Sequence, residues 1–282
     1  MKNIIISTDS TSDLSPELIE KYGIKVLPLA VVSDEGSKKD GIEITGKDVI
    51  EYQSTTGKML KPAAANMSEW EDFFDSFGEN DGVVNFTISG EMSSTFNNSR
   101  MAAAERENVY TIESQNLSTG IGLLILTACD LREQGLSAKE IYEKIEEIKP
   151  LVRSSFVIDS LEFLHKGGRC SAVAALGANL LKLKPMIVVE NGKMDVAKKY
   201  RGKITDVIKT YVKEQLADID NINLDKVFLT HTMTDENMFI IDEMYKYVTE
   251  NYDFKNVYVS TAGSTVSVHC GANTMRSLYI AK

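Results

Sequence analysis

The sequence has few cysteines and no apolar run of membrane-spanning length, and each absence argues against a class of protein. The three cysteines, Cys129, Cys170 and Cys270, lie far apart without metal-ligand spacing, so we expect buried, reduced thiols rather than disulfides. The longest strongly apolar run, residues 121–129, is well short of the ~20 residues that a membrane span needs. The first ten residues turn polar too early for a signal peptide. We therefore expect a soluble, cytoplasmic protein.

The sequence also lacks the common nucleotide-binding and esterase motifs. It has no G-x-x-x-x-G-K-[ST] and no G-x-G-x-x-G loop, so nucleotide binding has no support. It has no G-x-S-x-G elbow, which removes the main support for a lipase or esterase. The net charge of −10 argues against broad nucleic-acid binding, which needs a basic face. We expect no nucleic-acid partner, no cofactor and no metal.

The order of apolar runs predicts an α/β fold with two domains. Residues 4–6 form a short apolar strand, Ser15-Pro16 begins a helix, and residues 24–32 form the next strand region. This order opens a parallel sheet, and we predict a three-layer α/β/α domain over residues 1–150. Pro150 marks the boundary, because more strands follow it. Residues 151–282 are predicted to form a two-layer domain with a mixed sheet.

Four polar loops are candidates for a binding site. In open α/β sheets, ligands bind beyond the carboxyl ends of the strands, where such loops lie. The loops comprise residues 7–13, 57–66, 89–95 and 261–265. The third loop opens a helix, whose first N–H groups are free to bind an anion.

The first loop allows an alternative function as a metal-dependent phosphoryl or ester hydrolase. Asp9 would be the nucleophile, with Asp13 and a metal ion nearby. The two acids are four residues apart, whereas haloacid-dehalogenase-like phosphatases have them two apart. A polar turn that caps the next helix is the simpler interpretation of this loop.

One basic island stands out in this acidic chain, within residues 156–203. It contains the glycine turn Lys166-Gly167-Gly168-Arg169 and the basic residues 198–201. Of the three histidines, His165 lies beside the glycine turn, His231 ends a predicted strand and His269 lies in a Ser/Thr/Gly-rich segment. None has a companion at metal-ligand spacing.

Several segments, in chain order, resemble one family. They are IISTDSTSDLS at the start, TISGEMSSTFNNS at 87–99, SLEFLHKGGRCS at 160–171, LLKLKPMIVVENGKM leading to KKYRGK, and VSVHCG near the end. The L-E-x-L-x-K-G-G-R block, followed by K-P and a basic turn, is the most specific of them. The chain thereby resembles the DegV family, bacterial fatty-acid-binding proteins that serve as acyl-binding subunits of fatty acid kinase.

The resemblance implies a lipid-binding protein without catalysis of its own. One long-chain fatty acid would be buried between the two α/β domains. A separate fatty acid kinase catalytic subunit would phosphorylate its carboxylate and release acyl-phosphate for phospholipid synthesis. During lipid exchange, the protein would touch the membrane transiently, with the basic patch as a candidate contact.

The resemblance also implies the carboxylate ligands. The family's Ser and His match Ser93 and His269, and Ser94 adjoins the first of them. The family's Thr-containing loop aligns with the Pro-Ala-Ala-Ala-Asn sequence at residues 62–66, which has no hydroxyl. Asn66 is the remaining candidate donor there. Because the hydroxyls are missing, a carrier of another apolar carboxylate is a further alternative.

The basic island supplies the other inferred roles. Arg169 and Arg201 match two family arginines that act toward the kinase partner and the phosphoryl group, and Arg forks suit phosphate oxygens. The acyl chain needs an apolar sleeve, for which Phe163, Leu180 and Leu181 are candidates.

Overall fold

The computed structural model describes residues 3–174 and 183–282. The strands are β1 (Ile4–Asp9), β2 (Lys25–Leu27), β3 (Ala30–Ser33), β4 (Gly36–Lys39), β5 (Lys61–Ala63), β6 (Gly82–Thr87), β7 (Val109–Glu113), β8 (Val152–Val157), β9 (Lys184–Glu190), β10 (Lys193–Tyr200), β11 (Ile222–His231), β12 (Asn256–Thr261) and β13 (Met275–Ala281). The α-helices are α1 (Pro16–Tyr22), α2 (Gly46–Thr56), α3 (Met67–Asp75), α4 (Thr95–Ala103), α5 (Thr119–Glu133), α6 (Ala138–Ile148), α7 (Glu162–Gly167), α8 (Ser171–Ala174), α9 (Ile204–Gln215), α10 (Phe239–Asn251) and α11 (Ser264–Cys270).

The N-terminal part is built on a parallel sheet, as predicted. Its strand order is β2-β1-β6-β7, and every pair in it is parallel. Ile6, Val84 and Phe86 of the central strands are fully buried, as expected for strands covered on both faces. Helices α3 and α4 pack on one face of the sheet, and α5 and α6 pack on the other.

Two predicted elements in this part differ from the structure. The single strand region over 24–32 is divided, because β2 pairs with β1 whereas β3 joins a separate antiparallel sheet of order β4-β3-β5. The predicted loop over 57–66 contains β5, in which Ala63 pairs with Ala30 of β3. A three-residue strand with Pro62 at its centre has neither the length nor the alternation by which strands are recognised.

The C-terminal part is built on the predicted mixed sheet. Its order is β10-β9-β8-β13-β11-β12, in which β11 and β12 are parallel and the other pairs are antiparallel. Helices α9 and α10 cover one face through a core that includes Tyr211 and Met244. The chain therefore has the two-part α/β architecture that its sequence predicts.

Helix α5 lies between the two sheets. It contacts β1 and β6 of the parallel sheet and β8, β11 and β13 of the mixed sheet. A helix that is apolar around most of its circumference must be buried on all sides, and the run from Ile121 to Leu126 is completely buried. Among residues 3–174 and 183–282, no helix is long and apolar enough to cross a membrane. The domain boundary at Pro150 stays a prediction, and it falls in a short 3-10 turn before β8.

Candidate functional site

A cavity of about 220 Å³ lies beyond the carboxyl ends of β1 and β6. Helices α7 and α11 close its other side, so both parts of the chain contribute to it. The polar residues that line it are Thr11, Ser93, Ser94, Arg169, Thr265 and His269. The apolar residues that line it include Leu29, Ile88, Met92, Leu117, Leu164 and Met194. This location agrees with the general placement of ligands in α/β sheets.

Ser93 and Ser94 line the cavity at the start of α4. The Ser93 hydroxyl lies 2.8 Å from the Thr95 hydroxyl and accepts the Thr95 N–H at 3.2 Å. Ser94 is the N-cap residue of α4, and its side chain makes no capping hydrogen bond. The Ser94 hydroxyl is therefore not used by the helix, and the predicted pair of serines does reach the cavity.

His269 reaches the same cavity from α11. Its Nδ1 is buried and has no hydrogen-bond partner among the described residues. Burial, and secondarily the charge of Arg169, lowers the pKa of His269 to about 4. The imidazole is therefore neutral near pH 7 and can offer one N–H to a ligand.

The glycine turn explains how His269 is held. A Cβ atom on Gly167 would lie 2.1 Å from Nδ1 of His269, so the imidazole packs directly on the glycine. Gly168 has a φ of +66°, the left-handed conformation that ends a helix and favours glycine. The two glycines thus have different roles: the first makes room for the histidine, and the second reverses the chain toward Arg169.

Arg169, which was predicted to act toward the kinase partner and the phosphoryl group, lies at the cavity. Its Nη1 donates to the carbonyl of Gly167 at 2.7 Å, and its Nε lies 3.5 Å from the carbonyl of Met92. These contacts fix the guanidinium beside Ser93 and His269. A cation at this place gives the cavity a positive end.

Arg201 lies elsewhere, because it follows the end of β10 whereas Met194, near the start of that strand, lines the cavity. Seven residues of strand place Arg201 roughly 20 Å from Met194. Cys170 donates to the carbonyl of Met194 at 3.5 Å, which locates Arg169 near the start of β10. The two arginines therefore do not form one patch.

The residues predicted for the apolar sleeve are only partly described. Leu180 and Leu181 lie outside the described residues. Phe163 is half-buried and packs on Gly271, and it is not part of the cavity wall. Its neighbour Leu164 is buried and lines the cavity instead. Because α7 turns by about 100° per residue, the side chains of Phe163 and Leu164 face different directions. The sequence of a six-residue helix does not predict which of the two lines the cavity.

Asn66 does not reach the cavity either. It is the exposed N-cap of α3, where its Oδ1 accepts the N–H of Glu69 at 3.0 Å and its own N–H binds the Glu69 carboxylate. Ala63 and Ala64 line the cavity in its place, and they carry no polar side-chain atoms. The loop that lacks hydroxyls therefore forms an apolar part of the wall.

The acidic residues of the first loop form a closed structural cluster with Asp40. We call Asp9, Asp13 and Asp40 the acidic cluster; all three are buried. Asp9 accepts the N–H of Thr11 at 2.8 Å and that of Ile88 at 2.9 Å. Burial raises the pKa of Asp9 to about 6 and that of Asp13 to about 7, although hydrogen bonds oppose the shift.

The other two acids hold the start of α11. Asp13 accepts the N–H of Gly263 at 2.9 Å and the Ser118 hydroxyl. Asp40 accepts the N–H groups of Ser264 at 2.8 Å and Thr265 at 3.2 Å. Because protein donors bind these oxygens, the cluster joins the N-terminal loops to α11, which is a structural role.

The three cysteines have the state that the sequence predicts. Cys129, Cys170 and Cys270 are free and buried. In the described part of the chain, no group of three or more His, Cys, Asp or Glu side chains is arranged to hold a metal ion.

Comparison with known sequences agrees with the resemblance. DegV domain-containing proteins of Clostridium perfringens and Clostridium acetobutylicum are both 30% identical to this chain. The first alignment covers 99% of both chains and the second covers 100% of both.

Solved structures share the fold. A protein from Thermus thermophilus, described as showing fatty acid binding of a DegV family protein, has a TM-score of 0.89 at 24% identity, with 99% of each chain covered. A stearic-acid-binding protein from Eubacterium ventriosum has a TM-score of 0.84 at 25% identity, covering 99% of this chain and 98% of that one. The family description "Uncharacterised protein, DegV family" matches residues 3–282. The chain therefore belongs to the DegV family.

Proposed function

We propose that the protein binds one long-chain fatty acid, with its carboxylate in the cavity at Ser93, His269 and Arg169. The observation that carries the proposal is the composition of the cavity wall, in which the Arg169 cation and the polar side chains of Ser93 and His269 are combined with buried aliphatic side chains. The stearic-acid-binding relative from Eubacterium ventriosum supports the same ligand class.

The chemistry of the site suits a carboxylate. A buried carboxylate without donors would take up a proton or leave. Here Arg169 supplies positive charge, and Ser93 and the neutral His269 supply hydrogen-bond donors. The serines also lie at the N-terminus of α4, where unsatisfied N–H groups favour an anion.

The acyl chain supplies most of the affinity. At about 0.8 kcal/mol per CH₂ group, a 16-carbon tail gains on the order of 10 kcal/mol in gross transfer from water. A gain of this size lets the protein compete with a bilayer for the lipid. Leu117, Leu164 and Met194 are the residues from which the sleeve begins.

The protein would then present the carboxylate to a separate kinase subunit in the cytoplasm, for acyl-phosphate formation and phospholipid synthesis. Arg169, which lies beside the carboxylate site and is exposed, is suited to stabilise the transferred phosphoryl group. Arg201, exposed at the end of β10, is suited to dock the partner or touch the membrane transiently. Neighbouring Lys198 is already paired with Glu214 at 2.7 Å.

Direct binding of palmitic acid tests the proposal, together with native mass spectrometry of the purified protein. We expect one bound fatty acid, and a loss of affinity of about tenfold or more in Ser93→Ala and His269→Ala. The control His165→Ala removes an exposed histidine outside the cavity and should bind as the wild type does. If no fatty acid copurifies and none binds when offered, the proposal fails.

The kinase step is tested with a fatty acid kinase catalytic subunit, ATP and the loaded protein. We expect Arg201→Ala to keep the lipid and to lose acyl-phosphate formation. Arg169→Ala should weaken both lipid binding and phosphorylation, because the guanidinium lies at the cavity. Normal phosphorylation of Arg201→Ala would remove Arg201 from the partner surface.

A further inference from the structure

Ser89 holds the loop that carries Ser93 to the cavity wall. It is completely buried, just after the end of β6. Its carbonyl oxygen accepts the N–H groups of Met92 at 3.0 Å and Ser93 at 3.1 Å. Its hydroxyl oxygen accepts the N–H of Glu91 at 3.2 Å. Ser89 therefore fixes the backbone from which the Ser93 side chain reaches the cavity.

The Ser89 hydroxyl also contacts the C-terminal part of the chain. It donates to the carbonyl of Gly192 at 2.8 Å, in the turn between β9 and β10 of the mixed sheet. A Cβ atom on Gly192 would lie 2.5 Å from the Ser89 Oγ, and the φ of Gly192 is +79°, so a side chain there would clash and strain the backbone. The contact therefore depends on a hydroxyl on one side and on the absence of a side chain on the other.

The turn between β9 and β10 leads directly into the cavity wall. Met194, two residues after Gly192, lines the cavity, and its carbonyl accepts the thiol of Cys170 at 3.5 Å. Cys170 follows Arg169, which also lines the cavity. The hydrogen bond to Gly192 thus joins the N-terminal side of the cavity to the segments that carry Met194 and Arg169.

We infer that Ser89 is a positioning residue, whose hydrogen bond to Gly192 sets the distance between the Ser93 hydroxyl and the Arg169 guanidinium. The inference rests on the proposed function, because it concerns how the two sides of the same carboxylate site are held together. A hydrogen bond from a hydroxyl to an oxygen has a length of about 2.5–3.0 Å, so a shift of one side by about 0.5 Å or more weakens binding of the head group. The apolar contacts of the acyl chain are non-directional, and such a shift changes them much less.

Ser89→Ala removes this hydrogen bond, and Ser114→Ala is the matched control. Ser114 is buried directly after the end of β7, and its hydroxyl accepts the N–H of Asn116 at 3.1 Å, two residues on, as the Ser89 hydroxyl does from Glu91. The Ser114 hydroxyl donates to the Asn116 carbonyl within its own loop. The two substitutions therefore remove equivalent hydroxyls, of which that of Ser89 joins the two sides of the cavity.

The test compares affinities for palmitic acid and for 1-hexadecanol, which has a chain of the same length without the carboxylate. We expect Ser89→Ala to weaken palmitic acid binding about tenfold, and to change hexadecanol binding less than threefold. Ser114→Ala should bind both lipids within threefold of the wild type. In a Ser93→Ala background, Ser89→Ala should weaken palmitic acid binding less than threefold further, because the hydroxyl that it positions is gone.

Gly192→Ala tests the same contact from the other side, and it carries the test if Ser89→Ala does not fold. The new methyl group would meet the Ser89 oxygen, so the turn must move away from the loop. We expect the same preferential loss of palmitic acid binding over hexadecanol binding.

A palmitic acid affinity of Ser89→Ala within threefold of the wild type would overturn the inference. Equal losses for the acid and the alcohol would also overturn it, because they indicate a loosened cavity rather than a displaced serine. A further loss in the Ser93→Ala background as large as that in the wild type would do the same. If Ser93→Ala still weakens binding in those cases, the proposed function stands without a role for Ser89. If the wild type binds no palmitic acid, the proposed function itself fails.

Discussion

Buried polar groups are hydrogen-bonded at the start of α11, but two on the side of the helix that lines the cavity are not. At the start, the acidic cluster accepts hydrogen bonds from the backbone of Gly263, Ser264 and Thr265. On the side of α11 that lines the cavity, Thr265 Oγ1 and His269 Nδ1 are buried and have no partner among the described residues. A hydrogen-bonded polar group holds the fold, whereas a buried polar group without a partner costs free energy. The acids thus locate the helix from which His269 reaches the cavity wall.

Removing Asp40 should have the largest effect, because its carboxylate binds the start of α11. Asp40→Ala leaves the Ser10 hydroxyl and the N–H groups of Ser264 and Thr265 without their acceptor inside the protein. Because several buried donors lose their partner at once, we expect a loss of about 3 kcal/mol or more in the free energy of unfolding. Urea unfolding followed by circular dichroism measures it.

An exposed aspartate is the control for that substitution. Asp34 pairs with Lys58 at 3.0 Å on the surface, and Asp34→Ala should leave the unfolding midpoint unchanged. An Asp40→Ala variant as stable as Asp34→Ala would show that the acidic cluster does not hold α11.

The raised pKa of Asp13 should appear as a pH dependence of stability. Burial raises it from 3.8 to about 7, so between these values the folded protein binds a proton that the unfolded chain releases. This contribution to stability is full below about pH 4 and is lost as the pH rises to about 7. The free energy of unfolding of the wild type, measured relative to that of Asp13→Asn, should therefore fall by on the order of 3 kcal/mol over that range.

The comparison with Asp13→Asn reports on this carboxyl together with its interactions with Asp40 and Arg276, because the other titrating residues are the same in both proteins. Asparagine tolerates the left-handed backbone at this position, where φ is 51°. Urea unfolding at pH 4.5, 5.5, 6.5 and 7.5 provides the measurement. A difference that stays constant across these values would contradict a buried carboxyl with a raised pKa.

On the cavity side, Gly167→Ala should disturb the position of His269. The new methyl group would meet the imidazole, and overpacking of this kind costs about 1–3 kcal/mol. In a His269→Ala background the same substitution should cost much less, because the ring is gone. Thermal unfolding of the four proteins in this double-mutant cycle measures the coupling.

Gly168→Ala is the matched control in the same turn. Nothing lies within 4 Å of a Cβ atom there, but φ is +66°, so the cost is backbone strain alone. That cost should be the same with and without His269. If Gly167→Ala also shows no coupling to His269, the glycine does not make room for the histidine.

Local patterns in the sequence were enough to predict much of the fold. The apolar strands, the Ser15-Pro16 helix start and the long apolar run of α5 predict a parallel α/β unit followed by a mixed sheet, and the structure has both. The pairing of β5 with β3 could not be predicted, because three residues with a central proline give no pattern. Its partner lies about 30 residues away in sequence, and only the folded chain brings the two together.

The candidate site, like the fold, was predicted from the sequence only in part. The motifs were enough to identify the family and to make Ser93 and His269 candidate ligand residues, because a motif records which residue types stand at which positions. The folded chain was needed to show that Asn66 caps a helix away from the cavity, and that Arg169 is among the residues that line it. These outcomes depend on which hydrogen bonds each side chain finds in three dimensions. Residue type fixes what a side chain can bind, and packing fixes whether that capacity is already used.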